Sequence, residues 1–333
     1  MLGTGTIVED RYRIEAVIGS GAMGTVYRAR HIHVGREVAI KVLHDHLVRD
    51  PVMVQRFDRE AAIAARLSHR NLVGVLDVGT TATGGKLMVL ELARGETLGA
   101  TAARETLSRE RVVRILEQLL HGLEHAHAAG LVHRDLKPDN VIVERDDKGA
   151  EHARIVDFGI AVLRDGPVDD AAALRLTACG TLLGTPAYMA PEQAQSDALD
   201  PRTDLFALGV IAYELLAGVR PFEGSALEVV LANTNQDPPA IAERAPGRTI
   251  DPLLEAFARR LMARTLRDRF ASARAALDAL ALIERDRAAA ARVLGETSPT
   301  LEMPSVAVPR VRRWPLATVV LVVGALLGFW IAS

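Results

Sequence analysis

The chain is poor in cysteine, lysine and aromatic residues. Its 333 residues include one cysteine, four lysines and only 4% aromatic residues. A single cysteine excludes a disulfide within the chain, so nothing in the sequence calls for an oxidising compartment. Because lysines are so few, a lysine inside a motif is a better candidate for function than for surface filling.

The chain also has a net charge close to zero and no recognisable targeting signal at its amino terminus. The net charge is −2, which gives no whole-chain argument for a nucleic-acid partner. Residues 1–10 carry neither a basic flank nor a long apolar run, so no signal peptide is predicted and the amino terminus is expected in the cytoplasm. A length of 333 residues, 49% hydrophobic and 25% charged, predicts about two globular domains or lobes.

Two short motifs hold most of the chemistry-bearing side chains. Segment 133–140 reads His-Arg-Asp-Leu-Lys-Pro-Asp-Asn, and segment 157–159 reads Asp-Phe-Gly. A β-branched run adjoins each motif and a turn-rich stretch separates the runs, which predicts a hairpin. The hairpin would bring Asn140 and Asp157 to its open end, where two oxygen ligands could share a Mg²⁺ ion. The alternative is a pair of charged loops around an ordinary hairpin.

A glycine-rich segment lies near the start of the chain. Segment 19–24 reads Gly-Ser-Gly-Ala-Met-Gly. This pattern alone is weak, because dinucleotide-binding folds carry it too, and there the third glycine opens a helix. Here residues 25–30 alternate and are partly β-branched, which predicts a strand. The pattern favours a flap between two strands whose backbone N–H groups can approach phosphate oxygens; the alternative is a flexible hairpin turn.

The third predicted strand, residues 37–42, carries Lys41 among apolar residues. A buried ammonium without an anionic partner costs several kcal/mol, so Lys41 requires one. The candidates are the phosphates of a nucleotide and Glu60, on a helix predicted over residues 51–67 that begins with Pro51. The alternatives are a lysine that reaches solvent and a solvated glutamate.

A longer amphipathic helix is predicted over residues 109–129, ended by Gly130. His121, His125 and His127 lie on it. With no cysteine or paired motif nearby, they are interpreted as solvated or hydrogen-bonded helix residues rather than as metal ligands.

Together these motifs resemble, in sequence and in order, those of protein kinases over residues 12–283, and the lysine of the 133–140 motif resembles the serine/threonine class. The resemblance implies an α+β, bilobal protein kinase fold. Residues 1–94 would form a small lobe with a five-stranded antiparallel sheet and one helix. Residues 95–285 would form a large, mainly helical lobe.

The resemblance also implies roles for single residues. Asp135 would accept or orient the proton of the substrate hydroxyl, and Lys137 would lie beside the transferred phosphate. Asn140 and Asp157 would hold Mg²⁺, with Mn²⁺ as the alternative ion, and a pair between Lys41 and Glu60 would be required for activity. Contacts with ATP would fall on Ile18, Gly19, Gly21, Gly24, Val26, Ala39, Lys41, Glu91 and Ala93.

Residues 159–192 resemble an activation loop followed by a substrate-docking loop. Thr177 and Thr181 are candidates for autophosphorylation, for which a homodimer is a candidate assembly, and Arg134 would bind the resulting phosphate. The alternative is that both threonines are plain loop residues. By the same resemblance, Thr185 would bond with Asp135 and Lys137, and Glu192 would pair with Arg269. Asp204 would bind the backbone of residues 133–140, the catalytic loop.

The end of the chain has a different composition. Residues 286–313 are predicted as a juxtamembrane linker with three arginines at its end, and residues 314–333 carry no charge. Trp314 and Trp330 flank the apolar stretch, as in membrane-spanning helices. The prediction is a single transmembrane helix in the lipid of the inner membrane, with the kinase domain on the cytoplasmic side; the alternative is a buried terminal helix.

The expected activity is therefore transfer of the γ-phosphate of ATP to serine or threonine hydroxyls of proteins. Two alternatives stay open. A pseudokinase scaffold would bind partners without transfer, which the intact Lys41, Asp135, Asn140 and Asp157 argue against. A small-molecule kinase of related fold is opposed by the protein-docking segment 184–192.

Overall fold

A computed structural model describes residues 2–21, 24–157, 186–195 and 200–296. These residues all belong to one compact unit. The candidate sites Thr177, Thr181 and Thr185 and the predicted membrane span 314–333 lie outside them. Among the helices in these ranges, none combines the length and apolar character that crossing a membrane requires.

The first lobe is built on an antiparallel sheet of six strands with the order β1-β2-β3-β4-β6-β5. The five predicted strands are present. The sixth is the two-residue β1, which pairs with β2 and is too short to produce a sequence pattern. The strands are β1 (Ile7–Val8), β2 (Tyr12–Ser20), β3 (Gly24–His31), β4 (Glu37–Leu43), β5 (Val75–Thr80) and β6 (Lys86–Glu91).

Two helices follow β4. The predicted one is α2 (Pro51–Ala64), which begins where Asp50 accepts a hydrogen bond from the N–H of Val52 and ends three residues before the predicted Leu67. Phe57 and Ala61 are fully buried on its inner face. The four-residue α1 (Asp45–Val48) has no buried residue, which explains why it left no hydrophobic pattern.

A second, smaller sheet has three strands. It contains β7 (Gly95–Thr97), β8 (Val141–Arg145) and β9 (Glu151–Ile155), all antiparallel. Strands β8 and β9 form the hairpin predicted between the two motifs, which is confirmed. The N–H of Val156 donates to the carbonyl of Asn140 at 2.9 Å, so the hairpin's open end lies beside both motifs.

The second lobe is mainly helical, with α6 at its centre. All but two of the 16 residues of α6 are buried, as expected for a helix enclosed on every side. A side chain at Gly209 would lie 2.7 Å from Leu261, so glycine permits the close approach of α6 and α9. The helices are α3 (Leu98–Arg104), α4 (Arg109–Ala128), α5 (Pro191–Gln195), α6 (Arg202–Ala217), α7 (Ala226–Asn235), α8 (Ile241–Arg244), α9 (Pro252–Leu261), α10 (Ala273–Arg285) and α11 (Arg287–Leu294).

Helix α11 lies past residue 285, where the Ala- and Arg-rich sequence of residues 287–294 predicts that helices continue, and it is present. Ala290 and Ala291 are buried, and the guanidinium of Arg287 pairs with Asp251 at 2.8 Å. The first residues of the predicted linker are therefore a helix that packs on the lobe.

A buried ion pair stabilises the second lobe. The guanidinium of Arg269 donates to both carboxylate oxygens of Glu192, at 2.7 and 2.8 Å, and the hydroxyl of Thr203 adds a third bond at 2.9 Å. The side chain of Arg269 is 0% exposed and that of Glu192 is 5% exposed. The predicted pair is confirmed, and it joins α5 to the segment between α9 and α10.

Candidate active site

A buried carboxylate binds the backbone of the catalytic loop, residues 133–140. Asp204 is 1% exposed, and its oxygens accept hydrogen bonds from the backbone N–H groups of His133 and Arg134, each at 2.8 Å. This confirms the predicted role of Asp204. His127 also contacts this carboxylate, with Nε2 at 2.7 Å. Burial alone would raise the pKa of Asp204, but the bonds from His127 and His133 outweigh it, and the pKa is lowered.

Two residues of the site have left-handed backbone conformations, Arg134 at φ 68° and Asp157 at φ 56°. Such conformations are costly for residues other than glycine and cluster at functional sites. The Nε2 atom of His133 lies 3.0 Å from the carbonyl of Val156, which ties the two strained segments together. The two motifs are therefore in direct contact.

Three side chains of the loop converge. The ammonium of Lys137 lies 2.7 Å from Oδ2 of Asp135. The amide of Asn140 donates to the carbonyl of Asp135 at 2.8 Å and to its Oδ2 at 3.3 Å. The Asp135 carboxylate is thus oriented by two neighbours, Lys137 and Asn140.

Lys41 and Glu60 have partners other than each other. Lys41 is 4% exposed and forms an ion pair with Asp157, whereas the carboxylate of Glu60 pairs with the guanidinium of Arg134 at 2.9 Å. The expected contact between Lys41 and Glu60 is therefore replaced by two other pairs. Asp157 supplies the anion that the buried ammonium requires. Burial raises the pKa of Glu60 more than its contact with Arg134 lowers it.

The glycine-rich segment connects β2 and β3. A side chain at Gly24 would come 2.2 Å from the carbonyl of Val42, so only glycine fits this close approach. The N–H of Gly21 donates to the carbonyl of Gly24 at 3.0 Å. Nε2 of His44, in the turn after β4, lies 2.8 Å from the carbonyl of Gly21, a contact that sequence patterns did not indicate.

Strand register brings the predicted nucleotide contacts together. Val26 is the cross-strand partner of both Gly19 on β2 and Lys41 on β4. Ala39 is the partner of Leu90, which directly precedes Glu91, another of the predicted contacts with ATP. Ile18 is half-exposed on β2.

Glu91, a predicted contact with ATP, is the last residue of β6. Its N–H donates to the carbonyl of Gly74 at 2.9 Å, and its side chain pairs with Arg154 on β9 and with Arg36 at 3.3 Å. With these partners, the Glu91 carboxylate lines a charged cavity of about 410 Å³, which Arg94 also lines. Only the backbone of Glu91 is therefore a candidate for contact with a base, and the roles of Glu91 and Ala93 remain predictions.

The donor set of the loop fits a small divalent cation. Asn140 uses its amide nitrogen within the protein, which leaves an amide oxygen, and Asp157 supplies a carboxylate at the same end of the hairpin. Mg²⁺ is usually bound by only one or two protein oxygen donors, and phosphate oxygens and water complete its coordination shell. Within the ranges described, no group of three or more histidine, cysteine or acidic side chains could hold a metal by itself.

The segment after the activation loop is linked to the catalytic loop. The amide of Gln193 on α5 donates to the carbonyl of Arg134 at 2.8 Å, and its oxygen accepts the N–H of Ala190 at 3.0 Å. The hydroxyl of Tyr188 donates to Glu214 at 2.5 Å, and burial raises the pKa of that carboxyl. Sequence reasoning missed Gln193, since a glutamine in a short polar helix carries no pattern.

Comparison with known proteins agrees with this geometry. The family described as protein kinase domain matches residues 12–279. The chain is 41% identical over 285 residues to serine/threonine-protein kinase pkn3 of Myxococcus xanthus, covering 85% of this chain and 52% of that protein. It is 37% identical over 248 residues to serine/threonine-protein kinase PknA of Mycobacterium tuberculosis, covering 73% and 55%. It thus spans about half the length of these relatives.

The fold has a counterpart among solved structures. The crystal structure of the PknI kinase domain of Mycobacterium tuberculosis superimposes with a TM-score of 0.64 and 28% identity, covering 84% of this chain and 99% of that one. The family match spans both lobes and includes the loop that Asp204 holds and the strand that carries Lys41. The chain therefore belongs to the protein kinase domain family.

Proposed function

We propose that this protein is a serine/threonine protein kinase that transfers the γ-phosphate of ATP to hydroxyl groups of proteins. The observation that carries the proposal is the cluster of Asp135, Lys137 and Asn140 on a loop fixed by Asp204. The relatives named above carry the same activity in their names. Phosphoryl transfer depends mainly on positioning and on neutralising charge, and this cluster supplies both.

Each side chain then has a defined task. Asp135 orients the attacking hydroxyl and accepts its proton, and Lys137 neutralises charge on the transferred phosphate. Asn140 and Asp157 would hold Mg²⁺, which would supply neutralisation of the negative charge on the phosphate oxygens of ATP. The β2–β3 flap and Lys41 hold the phosphates in place.

The test is transfer of radiolabelled phosphate from ATP to myelin basic protein, followed by phosphoamino acid analysis. We expect label on serine and threonine. Label found only on small molecules would favour a small-molecule kinase. A purified protein that binds ATP and labels no protein would favour the scaffold.

We further propose that the described arrangement is a resting one. The Lys41–Glu60 pair required for kinase activity is replaced by pairs with Asp157 and Arg134. A phosphate on Thr177 or Thr181 would compete with Glu60 for Arg134 through charge-assisted bonds. Glu60 would then be free to pair with Lys41, and Asp157 would be free to bind the metal.

Replacing Arg134 by alanine should therefore activate the dephosphorylated enzyme. The substitution removes the partner of Glu60; the side chains of this pair are only 15% and 14% exposed. A contribution of about 1 kcal/mol, the upper end for exposed ion pairs, corresponds to about a fivefold shift in population. We expect the initial transfer rate of phosphatase-treated protein to rise by up to about fivefold, with loss of the further stimulation by activation-loop phosphorylation. Arg145→Ala, at an arginine that is 67% exposed, is the control. A dephosphorylated Arg134→Ala protein no faster than the unsubstituted one would contradict this arrangement.

The carboxyl-terminal stretch is proposed as a membrane anchor that keeps the kinase domain at the cytoplasmic face. Residues 314–333 carry no charge, arginines precede them, and Trp314 and Trp330 suit the interfacial regions. The full-length protein should sediment with membranes and require detergent for extraction. The variant Leu321→Arg/Leu326→Arg should be largely soluble, because each arginine costs about 2.5–3.5 kcal/mol at the centre of a span. A full-length protein that is soluble without detergent would refute the anchor.

A further inference from the structure

Asn233, on helix α7, is a buried polar residue with no role in the mechanism above. It is 3% exposed. Its amide nitrogen lies 3.4 Å from the carbonyl oxygen of Pro186, 3.3 Å from that of Ala187 and 3.1 Å from that of Met189. One side chain thus contacts three carbonyl groups of a single short segment.

The chemistry of this contact requires an amide. Three acceptors face Asn233, and an amide nitrogen offers two N–H groups to them. An aspartate of the same shape would offer only acceptors. An alanine would remove the donor from the carbonyl groups of Ala187 and Met189, whereas the carbonyl of Pro186 would keep the N–H of Met189. Buried carbonyl groups without a partner are costly, so the identity of this residue determines whether the segment keeps its conformation.

The segment 186–190 lies between the activation loop and α5. Besides Asn233, two other side chains hold it: Glu214 of α6 accepts the hydroxyl of Tyr188, and Gln193 of α5 accepts the N–H of Ala190. Gln193 also donates to the carbonyl of Arg134. The segment is therefore connected to the catalytic loop through one side chain, and its position relative to Asp135 depends on these three contacts.

Helix α7 is suited to serve as a fixed support. Its first turn has reciprocal hydrogen bonds between Ser225 and Glu228. Val229 and Ala232 are buried beside Asn233, so the helix packs on the lobe through apolar contacts that do not depend on the amide. A substitution of Asn233 should accordingly disturb the segment before it disturbs the helix.

We infer that Asn233 is a positioning residue for the protein substrate. It holds the backbone of segment 186–190, against which the polypeptide around the target serine or threonine binds, and it takes no part in holding ATP. This inference rests on the proposed kinase function. Within the described residues, the hydrogen bonds of the Asn233 amide all run to this segment and none to a residue assigned to the nucleotide.

The kinetic test compares Asn233→Asp with Asn235→Asp, the same chemical change on the same helix. Asn235 is exposed, and its amide donates to the carbonyl of Leu231 in its own helix at 3.0 Å. For Asn233→Asp we expect the KM for myelin basic protein to rise about tenfold or more. The KM for ATP, and the rate of ATP hydrolysis without protein substrate, should change less than about twofold. Asn235→Asp should leave all three constants unchanged. An unchanged KM for the protein, or an equal rise in the KM for ATP, would overturn the inference.

Amide hydrogen exchange separates this inference from the proposed function. In Asn233→Asp and in Asn233→Ala, peptides covering residues 186–195 should exchange about tenfold faster, because the N–H of Met189 is bonded within this segment at 3.2 Å and that of Ala190 to Gln193. Peptides from α4 should exchange as in the unsubstituted protein. Unchanged exchange in 186–195, or faster exchange throughout the domain, would refute the positioning role. If the unsubstituted protein labelled no protein substrate, the proposed function would fail, and exchange would still decide whether Asn233 holds the segment.

Discussion

Replacing Asp135 by asparagine is expected to lower the rate of phosphate transfer to protein by about 10²–10⁴-fold, the usual contribution of a positioned base. The carboxylate is oriented by Lys137 at 2.7 Å and by the amide of Asn140. Asparagine has the same shape, so the loop should keep its bonds to Asp204, but it cannot accept the proton of the hydroxyl. The kcat should fall, while the Kd for MgATP, measured by titration, should stay within a few-fold.

The matched control is Asp278→Asn. Asp278 lies on α10, is 61% exposed and pairs with Arg274 four residues earlier, an arrangement that contributes little. This variant should keep the full transfer rate. If Asp135→Asn retained more than about a tenth of the rate, proton acceptance by Asp135 would be excluded. If the unsubstituted protein and the variant were equally inactive, the result would favour the pseudokinase alternative.

The parts of the fold that sequence predicted best are those with local signals. Alternation predicted strands β2 and β3, an apolar run predicted β4, and a Gly/Thr-rich turn separated β5 from β6. Turn residues between two β-branched runs predicted the hairpin β8–β9. Strand β1 has two residues, too few for any period to be visible. Helix α1 has no buried face, so hydrophobic spacing could not indicate it.

The partners of charged residues were harder to predict than their roles. Lys41 required an anionic partner, and the sequence offered the phosphates of a nucleotide or the carboxylate of Glu60. In the structure its partner is Asp157, 116 residues away in sequence, and Glu60 pairs with Arg134 instead. Which carboxylate meets Lys41 depends on the positions of helix α2 and the catalytic loop, which no local pattern encodes. His127 was interpreted only as a helix residue for the same reason.

Replacing Arg269 by leucine is expected to cost about 3–5 kcal/mol in free energy of unfolding. The guanidinium is 0% exposed and makes two bonds to Glu192, so its loss leaves a carboxylate buried without its charge partner. For a domain of this size the melting temperature should fall by roughly 10 °C. Calorimetry and urea unfolding of the purified protein measure both quantities.

Two further variants isolate the charge effect. Arg274→Leu removes an arginine that is 64% exposed, and it should change the free energy of unfolding by less than about 1 kcal/mol. The double variant Glu192→Leu/Arg269→Leu removes both charges, so it should recover part of the stability lost in Arg269→Leu, which a double-mutant cycle reports as coupling. Because Thr203 bonds Glu192 and is adjacent to Asp204, the single variant should also loosen the support of the catalytic loop and lower kcat. An Arg269→Leu protein as stable as Arg274→Leu would show that this pair does not hold α5 in place.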